Sequence, residues 1–249
     1  MKQSTRDAKL RICSIVGGRG AVDNQMTDLV GIGLYDRREA GRLTGAKPAT
    51  IGRWLSGYDR GGRHYEPLWE PRVAADDELV LDFRDLMELR AVISFVKRKI
   101  SVRTMRKAIL IAAERVGTDR PLSTLRFKTD GARIFFEDLE VDEGETPLED
   151  LFSGQRQIRE VIEQTLHDVD FTGDIPSLWW PLGRRAGVVI DPTRSFGQPI
   201  ETETSIPTHT LALAVEVEGG VEEAARLYEV PIRAVRRAVR FEQEFAQAA

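Results

Sequence analysis

Cysteine and histidine are scarce in this sequence of 249 residues, which contains 1 cysteine and 3 histidines. The single Cys13 excludes an intramolecular disulfide bond and a zinc site built from cysteines, so we expect an ordinary reduced thiol. His64, His167 and His209 are scattered and do not have the spacing of a zinc motif such as HExxH. We therefore predict no metal site and no disulfide framework.

Long hydrophobic runs and the motifs of common enzyme classes are also missing. No apolar stretch is long enough to cross a bilayer, and the amino terminus lacks the order of a secretory signal. No glycine-rich phosphate loop follows a strand, and no GxSxG elbow occurs. We expect a cytoplasmic protein that is not an enzyme, has no catalytic residues and uses no cofactor.

Charge is unevenly distributed along the chain, whose formal net charge is -4. Basic residues gather in 37–63, 97–107 and 233–240, whereas 137–150 contains only acidic charges. Affinity for nucleic acid depends on local patches rather than on the total charge, so DNA binding is compatible with this composition. The acidic segment is most simply a solvated loop.

The most informative stretch lies between Tyr35 and Leu68. Asp36 followed by Glu39 is typical of a capping box at the start of a helix. Gly45 ends that helix, and the turn leads to Pro48, which suits the first turn of a second helix because proline has no amide hydrogen to lose there. Helical spacing predicts that one face of this second helix is buried through Ile51, Trp54 and Leu55.

The opposite face of the second helix carries Lys47, Thr50 and Arg53, near the end where a recognition helix meets bases and phosphates. The cluster that follows is rich in glycine and arginine and predicts the tip of a basic wing with Arg60 and Arg63. A helical hairpin of this kind can also be plain scaffold with solvated arginines. The combination of cap, turn, proline, tryptophan and basic hairpin favours a DNA-binding winged helix-turn-helix.

Amphipathic helices are predicted from residue 82 to Gly117, with Ser101 as the cap of the second. The basic groups at 97–107 are either solvated helix ends or a phosphate-binding surface. The segment 125–139 is predicted to form a β-hairpin with its turn at Asp130-Gly131. Beyond it we expect a further helix and a connector, with Trp179-Trp180 packed between domains and Arg184 and Arg185 in an exposed turn.

The last part of the chain has a second helix-turn-helix outline. Thr208 is a plausible cap for one helix, and Pro231 starts the final one. The final helix carries a stripe of arginines with helical spacing, Arg233, Arg236, Arg237 and Arg240. These like charges lie one turn apart and repel each other, and an anionic partner would relieve the repulsion. The alternative is that Glu222, Glu223 or Glu242 partly neutralises the stripe.

Two segments resemble known families. The stretch YDRREAGRLTGAKPATIGRWLSGY resembles the MerR-type winged helix-turn-helix. The carboxy-terminal segment resembles an antitoxin domain of unknown function found in VapB-like proteins, through Asp191-Pro192, Gly197-Gln198-Pro199 and Thr204-Ser205-Ile206-Pro207. Ser205 stands where that family has arginine, so no role of the arginine carries over. After the amino-terminal helices we predict a hairpin rather than a long dimerisation helix with a cysteine site, so metal sensing is not expected.

The resemblance implies the antitoxin of a bacterial type II toxin–antitoxin pair. Such a protein would neutralise a PIN-like ribonuclease toxin and bind operator DNA, as a homodimer associated with the nucleoid, to repress its own operon. An arginine would be the simplest group to block an acidic ribonuclease pocket, so Arg184, Arg185 and the arginine stripe are candidates for toxin or DNA binding. The alternatives are a stand-alone MerR-like regulator, with a ligand pocket near Trp179-Trp180, and a module that binds proteins only.

The chain is long enough for one large or two to three small domains, and its hydrophobic content of 41% suffices for a buried core. We predict a mainly α fold with small β-hairpins (α+β), with a winged helix-turn-helix first and a second helix-turn-helix last. The predicted domains are a flexible extension at 1–34, the winged-helix domain with its following helices and hairpin at 35–150, a helix and connector at 151–186, and the carboxy-terminal domain at 187–249.

Overall fold

The computed structural model describes residues 31–73, 78–137 and 158–246. The predicted extension up to residue 30 and the acidic run from residue 138 lie outside them. The predicted α+β class is confirmed, and no helix in these three ranges is long and apolar enough to cross a membrane. The helices are α1 (Arg37–Thr44), α2 (Pro48–Ser56), α3 (Phe83–Lys97), α4 (Val102–Val116), α5 (Leu125–Glu137), α6 (158–166), α7 (Thr208–Glu218), α8 (Val221–Leu227) and α9 (Ile232–Ala246). The strands are β1 (Tyr35–Asp36), β2 (Tyr58–Arg60), β3 (Arg63–Tyr65), β4 (Val80–Leu81), β5 (Val169–Thr172), β6 (Ile175–Trp179), β7 (Val188–Ile190) and β8 (Pro199–Glu201).

The helices α1 and α2 form where the local signals predict them. The Asp36 side chain accepts hydrogen bonds from the amides of Arg38 and Glu39, both at 2.8 Å, which satisfies donors at the start of α1. Gly45 ends the helix with a φ of 70°, in the left-handed region that glycine adopts without strain. On α2, Ile51 and Leu55 are buried, whereas Trp54, which we expected in the core, is only half-buried against it.

A short hairpin, β2–β3, follows α2. Its loop is Gly61-Gly62, with φ values of 59° and 74°, the conformation of a two-residue turn whose twist matches the strands. The rings of Tyr58 and Tyr65 stack across the strands with centroids 4.8 Å apart. The predicted order of helix, turn, helix and hairpin is therefore confirmed.

Below this unit, α3 is fixed by buried charge. Asp82 caps α3 and forms a reciprocal capping box with Asp85. The same Asp85 carboxylate accepts hydrogen bonds from Trp69 Nε1 at 3.0 Å and from Arg120 Nε at 2.5 Å. One turn further, the buried Glu88 carboxylate joins α3 to the segment before α5, and burial raises the pKa of Glu88 to about 7. Local sequence signals gave no indication of these buried pairs.

The hairpin predicted at 125–139 is wrong, because residues Leu125–Glu137 form α5. The Thr124 hydroxyl accepts a hydrogen bond from the Phe127 amide at 3.1 Å and so caps the helix. Gly131, read as a turn residue, is buried one turn after Phe127, and a Cβ added there would lie 2.9 Å from Ile162 Cδ1. The glycine therefore allows α5 and α6 to approach closely, and the β-prone aromatic residues around it misled the prediction.

A four-stranded antiparallel sheet, in the order β5-β6-β7-β8, lies in the second half of the chain. The apolar strand predicted before Asp191 is confirmed as β7. The β5–β6 hairpin occupies residues 169–179, within the segment predicted to be a connector. This sheet positions the loop after β7, which contacts the start of the amino-terminal unit: the Tyr35 hydroxyl donates a hydrogen bond to the Gly197 carbonyl at 2.8 Å.

The helices α7, α8 and α9 pack on one another around small side chains, among them Ala224, Ala225 and Ala238. The predicted end of α7 at Gly219 is confirmed. Thr208 does not cap α7, because it is the first helical residue and its hydroxyl instead donates to Glu242 Oε1 at 2.5 Å, with the Pro199 carbonyl 3.3 Å away. The division into four segments proposed from the sequence remains a prediction.

Candidate nucleic-acid interface

The three residues expected to contact DNA bases lie along α2. Lys47 is the residue before the helix and is exposed, and its carbonyl accepts the Thr50 amide at 2.8 Å. Arg53 is exposed one turn after Thr50, and its Nη2 lies 3.4 Å from the Thr50 hydroxyl. Thr50 itself is half-buried. The three residues thus extend from the residue before the helix to its last turn.

The hairpin places Arg60 directly opposite Arg63. Like charges at such positions destabilise a strand pair, and the aromatic ring of Tyr65, 5.6 Å from the Arg63 guanidinium, is a weak neutral neighbour. Within residues 31–73, 78–137 and 158–246, neither arginine contacts a carboxylate, and the same holds for Lys47 and Arg53. These four side chains are therefore cationic groups without a carboxylate partner in the described ranges.

His64 is also on the hairpin and is exposed. Its Nδ1 lies 3.0 Å from Asp59 Oδ1, and its Nε2 lies 3.7 Å from Glu66 Oε1. The hydrogen bond with the Asp59 carboxylate, supported by the charge of Glu66, raises the pKa of His64 above its ordinary value of 6.5. The hairpin therefore gains positive charge when the pH falls toward neutrality.

The arginine stripe on α9 is in a different situation, because each of its members pairs with a glutamate. Arg237 Nη1 lies 2.9 Å from an oxygen of Glu201, a fully buried carboxylate that also accepts two backbone amides. Of the glutamates proposed as neutralising partners, only Glu222 contacts the stripe; Glu223 pairs with Arg226. The stripe pairs are Arg233–Glu203, Arg236–Glu222, Arg237–Glu201 and Arg240–Glu244.

The two arginines of the turn after β6 differ from each other. Arg184 pairs with Asp170, and its guanidinium lies 5.1 Å from the centroid of the Trp180 ring. The hydrogen bond from Arg184 lowers the pKa of Asp170. Arg185 is exposed and has no carboxylate partner in the described part of the chain. The buried Trp179 is part of the large core, as expected for a packing residue.

A cavity that the sequence did not suggest lies between α3 and α6. Its volume is about 190 Å³. The cavity is lined by Arg90, Ser94, Lys97, Arg98, Val161, Gln164 and Thr165. The polar residues among 90–98 recur at helical spacing, and this spacing in the sequence could have identified a polar face of α3.

Comparisons with known proteins relate the chain to mycobacterial proteins. No family model matches it. A protein of Mycobacterium tuberculosis named "Putative antitoxin VapB45" is 26% identical over 196 residues, which cover 72% of this chain and 81% of that protein. "Uncharacterized protein Rv2308" of the same organism is 24% identical over 236 residues, covering 91% of this chain and 97% of that one. This chain is a distant relative of both proteins.

A solved structure supports the fold. The crystal structure of Rv2018 from M. tuberculosis matches 84% of this chain and 99% of its own length, with a TM-score of 0.65 and 21% sequence identity. That likeness concerns the α+β fold. The sequence relationship supports the antitoxin-like part of the resemblance, and the MerR-type likeness of the amino-terminal helices remains a prediction.

Proposed function

We propose that this protein is the antitoxin of a bacterial type II toxin–antitoxin pair, which binds operator DNA and neutralises a PIN-like ribonuclease. The relationship to a protein named as a VapB antitoxin supports this role. The assignment of surfaces rests on charge. In the part of the chain that the structure describes, α2 and the β2–β3 hairpin carry four cations without a carboxylate partner, and the carboxy-terminal part carries arginines that pair with glutamates.

The proposed DNA-binding residues are those of α2 and the β2–β3 hairpin. In this proposal α2 enters the major groove with Lys47, Thr50 and Arg53, while Arg60 and Arg63 contact the neighbouring backbone. The observation that carries the proposal is the pair Arg60 and Arg63, which lie opposite each other and contact no carboxylate among residues 31–73, 78–137 and 158–246. A phosphate between the strands would remove that repulsion.

Repression would require a symmetric arrangement. Helix-turn-helix proteins commonly bind as dimers to two half-sites about one helical turn apart, or a multiple of it, roughly 34 Å. We therefore propose a homodimer on an operator with inverted half-sites upstream of the protein's own gene.

The toxin-binding surface is proposed in the carboxy-terminal part. Every arginine of the α9 stripe, and Arg184 as well, already pairs with an acidic side chain, so a toxin carboxylate would have to displace one. Arg185 needs no such exchange and is the strongest candidate to enter an acidic ribonuclease pocket. The carboxy-terminal part also offers apolar surface, since Leu213 is 42% and Val217 70% exposed at adjacent turns of α7.

The DNA proposal is tested by measuring fluorescence anisotropy with upstream DNA over a range of salt concentrations. Replacing Arg53 and Arg60 by alanine should lower the slope of log affinity against log salt by about one unit, because only Arg60 contacts the backbone in this proposal, and should weaken binding by at least about tenfold. The matched control removes two arginines elsewhere, Arg233→Ala with Arg240→Ala, and should leave both quantities unchanged. Unaltered affinity and slope in Arg53→Ala/Arg60→Ala would remove the assignment.

The toxin proposal is tested by co-purifying the full-length chain with the ribonuclease encoded beside its gene. Arg185→Ala should weaken the complex at least about tenfold, as expected when an arginine is lost from the centre of an interface. Arg226→Ala, an exposed arginine on α8, is the control. If DNA binds but no ribonuclease does, the protein is the stand-alone regulator; if only the ribonuclease binds, it is a protein-binding module.

A further inference from the structure

The cavity between α3 and α6 is lined by three cations and no acid. Arg90, Lys97 and Arg98 come from α3, and the α6 side supplies Val161, Gln164 and Thr165. In the described residues none of the three cations forms an ion pair, and Arg98 Nη2 donates only to Gln164 Oε1, at 3.1 Å. A concave surface with one sign of charge concentrates ions of the other sign.

Arg90 is the deepest of these cations. Its Nη1 donates to the Thr165 carbonyl, and its guanidinium lies 4.6 Å from the centroid of the Trp179 ring. Burial lowers the pKa of Arg90 to about 10, against a smaller opposite effect of the Asp168 charge. A cation held by a carbonyl and an aromatic ring keeps most of its charge uncompensated, so an anion in the cavity would be strongly favoured.

The Thr165 hydroxyl is a second, independent sign of a ligand. Thr165 is 4% exposed, and its Oγ1 is buried without a hydrogen-bond partner among the described residues. An unsatisfied buried hydroxyl lowers stability and is uncommon in folded proteins. Thr165 lines the cavity opposite Arg90, whose Nη1 donates to the Thr165 carbonyl, so the hydroxyl is close enough to this cation to donate a hydrogen bond to the same anion.

The cavity also lies beside the turn of the amino-terminal helical unit. Lys97 Nζ is 3.6 Å from the position that a Cβ on Gly45 would occupy, and Gly45 ends α1. An anion held by Lys97 would therefore lie next to the turn that leads into α2.

We propose that this cavity binds a phosphate group, with Arg90, Lys97 and Arg98 as counter-charges and the Thr165 hydroxyl as a donor. The phosphate belongs either to a free phosphorylated ligand or to the DNA backbone beside the turn. The free-ligand form is independent of the proposed DNA binding, and only the backbone form rests on it.

The first experiment titrates the full-length protein with inorganic phosphate and pyrophosphate by calorimetry. Lys97→Gln with Arg98→Gln removes two charges from the cavity, and Lys99→Gln with Arg103→Gln removes two exposed charges that do not line it. Binding that is weakened at least about tenfold in the first variant and unchanged in the second assigns a free phosphate ligand, because hydrogen bonds between charged groups are about twice as strong as neutral ones.

The second experiment measures DNA affinity against salt for the same two variants. If phosphate and pyrophosphate do not bind, but the Lys97→Gln/Arg98→Gln variant loses about one unit of salt slope relative to the control, the phosphate is that of the DNA backbone. If neither titration nor slope distinguishes the two variants, the proposal is overturned. Loss of DNA binding in Arg53→Ala/Arg60→Ala is a separate result and tests the DNA-binding proposal alone.

Thr165→Val separates a ligand role from a structural one. Valine keeps the shape and removes the hydroxyl that has no partner, so thermal stability should not fall. Whichever phosphate source is found, its binding should weaken several-fold. A Thr165→Val protein that binds phosphate and DNA as the wild type does would contradict the part assigned to this hydroxyl.

Discussion

The amino-terminal unit (α1, α2 and the β2–β3 hairpin) and the carboxy-terminal pair (α8 and α9) share a helix–turn–helix outline with an arginine-bearing second helix, yet their cations are in opposite situations. In the first unit, Lys47, Arg53, Arg60 and Arg63 face no carboxylate in the described residues, and Arg42 of α1 is an exception that pairs with Glu242. By contrast, each arginine of the α9 stripe has a glutamate partner. The number of basic residues on a helix therefore does not tell whether they are available to a partner. Their availability depends on which acidic side chains contact them, and most of those come from other segments of the chain.

The interiors of the two units also differ. The first packs Tyr35, Ile51 and Leu55 into the main core, while the second is built largely on alanines such as Ala224 and Ala238. Small side chains allow α7, α8 and α9 to approach closely and leave their longer arginines at the surface. This arrangement favours a rigid surface with its charges already placed, as a protein partner requires.

The comparison predicts its largest effect at Arg237. Arg237→Ala leaves the buried Glu201 carboxylate with only its backbone amide donors. This change should lower the free energy of unfolding by about 2 kcal/mol. The loss is smaller than for a fully buried pair because Arg237 is partly exposed. Arg53→Ala should change it by less than about 0.5 kcal/mol. Urea denaturation followed by circular dichroism measures both, and equal losses would break the distinction between structural and available arginines.

A smaller effect is expected where the two units meet. Glu242 on α9 accepts a hydrogen bond from Arg42 of α1 at 3.0 Å and from the Thr208 hydroxyl at 2.5 Å. Glu242→Ala should cost about 1 kcal/mol, since both groups are partly shielded from water. Glu244→Ala, which removes only an exposed pair with Arg240, is the control and should cost a few tenths of a kcal/mol. Equal effects would mean that the contact between the units contributes nothing.

The smallest effect concerns pH. The pKa of His64 is raised in the folded state by Asp59, so its contribution to stability is complete below pH 6.5 and is lost as the pH rises through the raised value. Protonation of His64 adds one positive charge to the hairpin. DNA affinity should therefore fall several-fold as the pH rises through the pKa of His64 and this charge is lost. His64→Gln should abolish the change, whereas Arg233→Ala should retain it. A pH-independent affinity in the wild-type protein would remove His64 from the interface.

Local signals in the sequence identified most helices, but they could not predict contacts between distant segments. Asp36, Gly45 and Ser101 each act within a few residues, and the structure places caps at all three. Gly131 misled the prediction because the glycine makes room for the side chain of Ile162 and does not form a turn. Two partners of the arginine stripe likewise come from distant positions, Glu203 lying 30 residues before Arg233 and Glu201 lying 36 residues before Arg237.

The cavity illustrates the same limit more strongly. Arg90 and Thr165, 75 residues apart, meet only because α6 packs on α3. Nothing in the spacing of either helix reveals that the hydroxyl lacks a partner or that the guanidinium is buried. The winged-helix hypothesis could be drawn from residues that are neighbours in the sequence. The phosphate hypothesis could be drawn only from contacts in the folded chain.

The bond between the Tyr35 hydroxyl and Gly197 has a practical consequence for mapping the two proposed activities. Gly197 has a φ of 77°, and a side chain there would overlap the tyrosine hydroxyl, so the loop after β7 and the first strand are fitted to each other. Cutting the gene between the two halves would strip a buried tyrosine of its acceptor and its cover. Deletion fragments would then fail by misfolding whatever they bind, and single-residue exchanges in the whole chain are the sound way to separate operator contacts from toxin contacts.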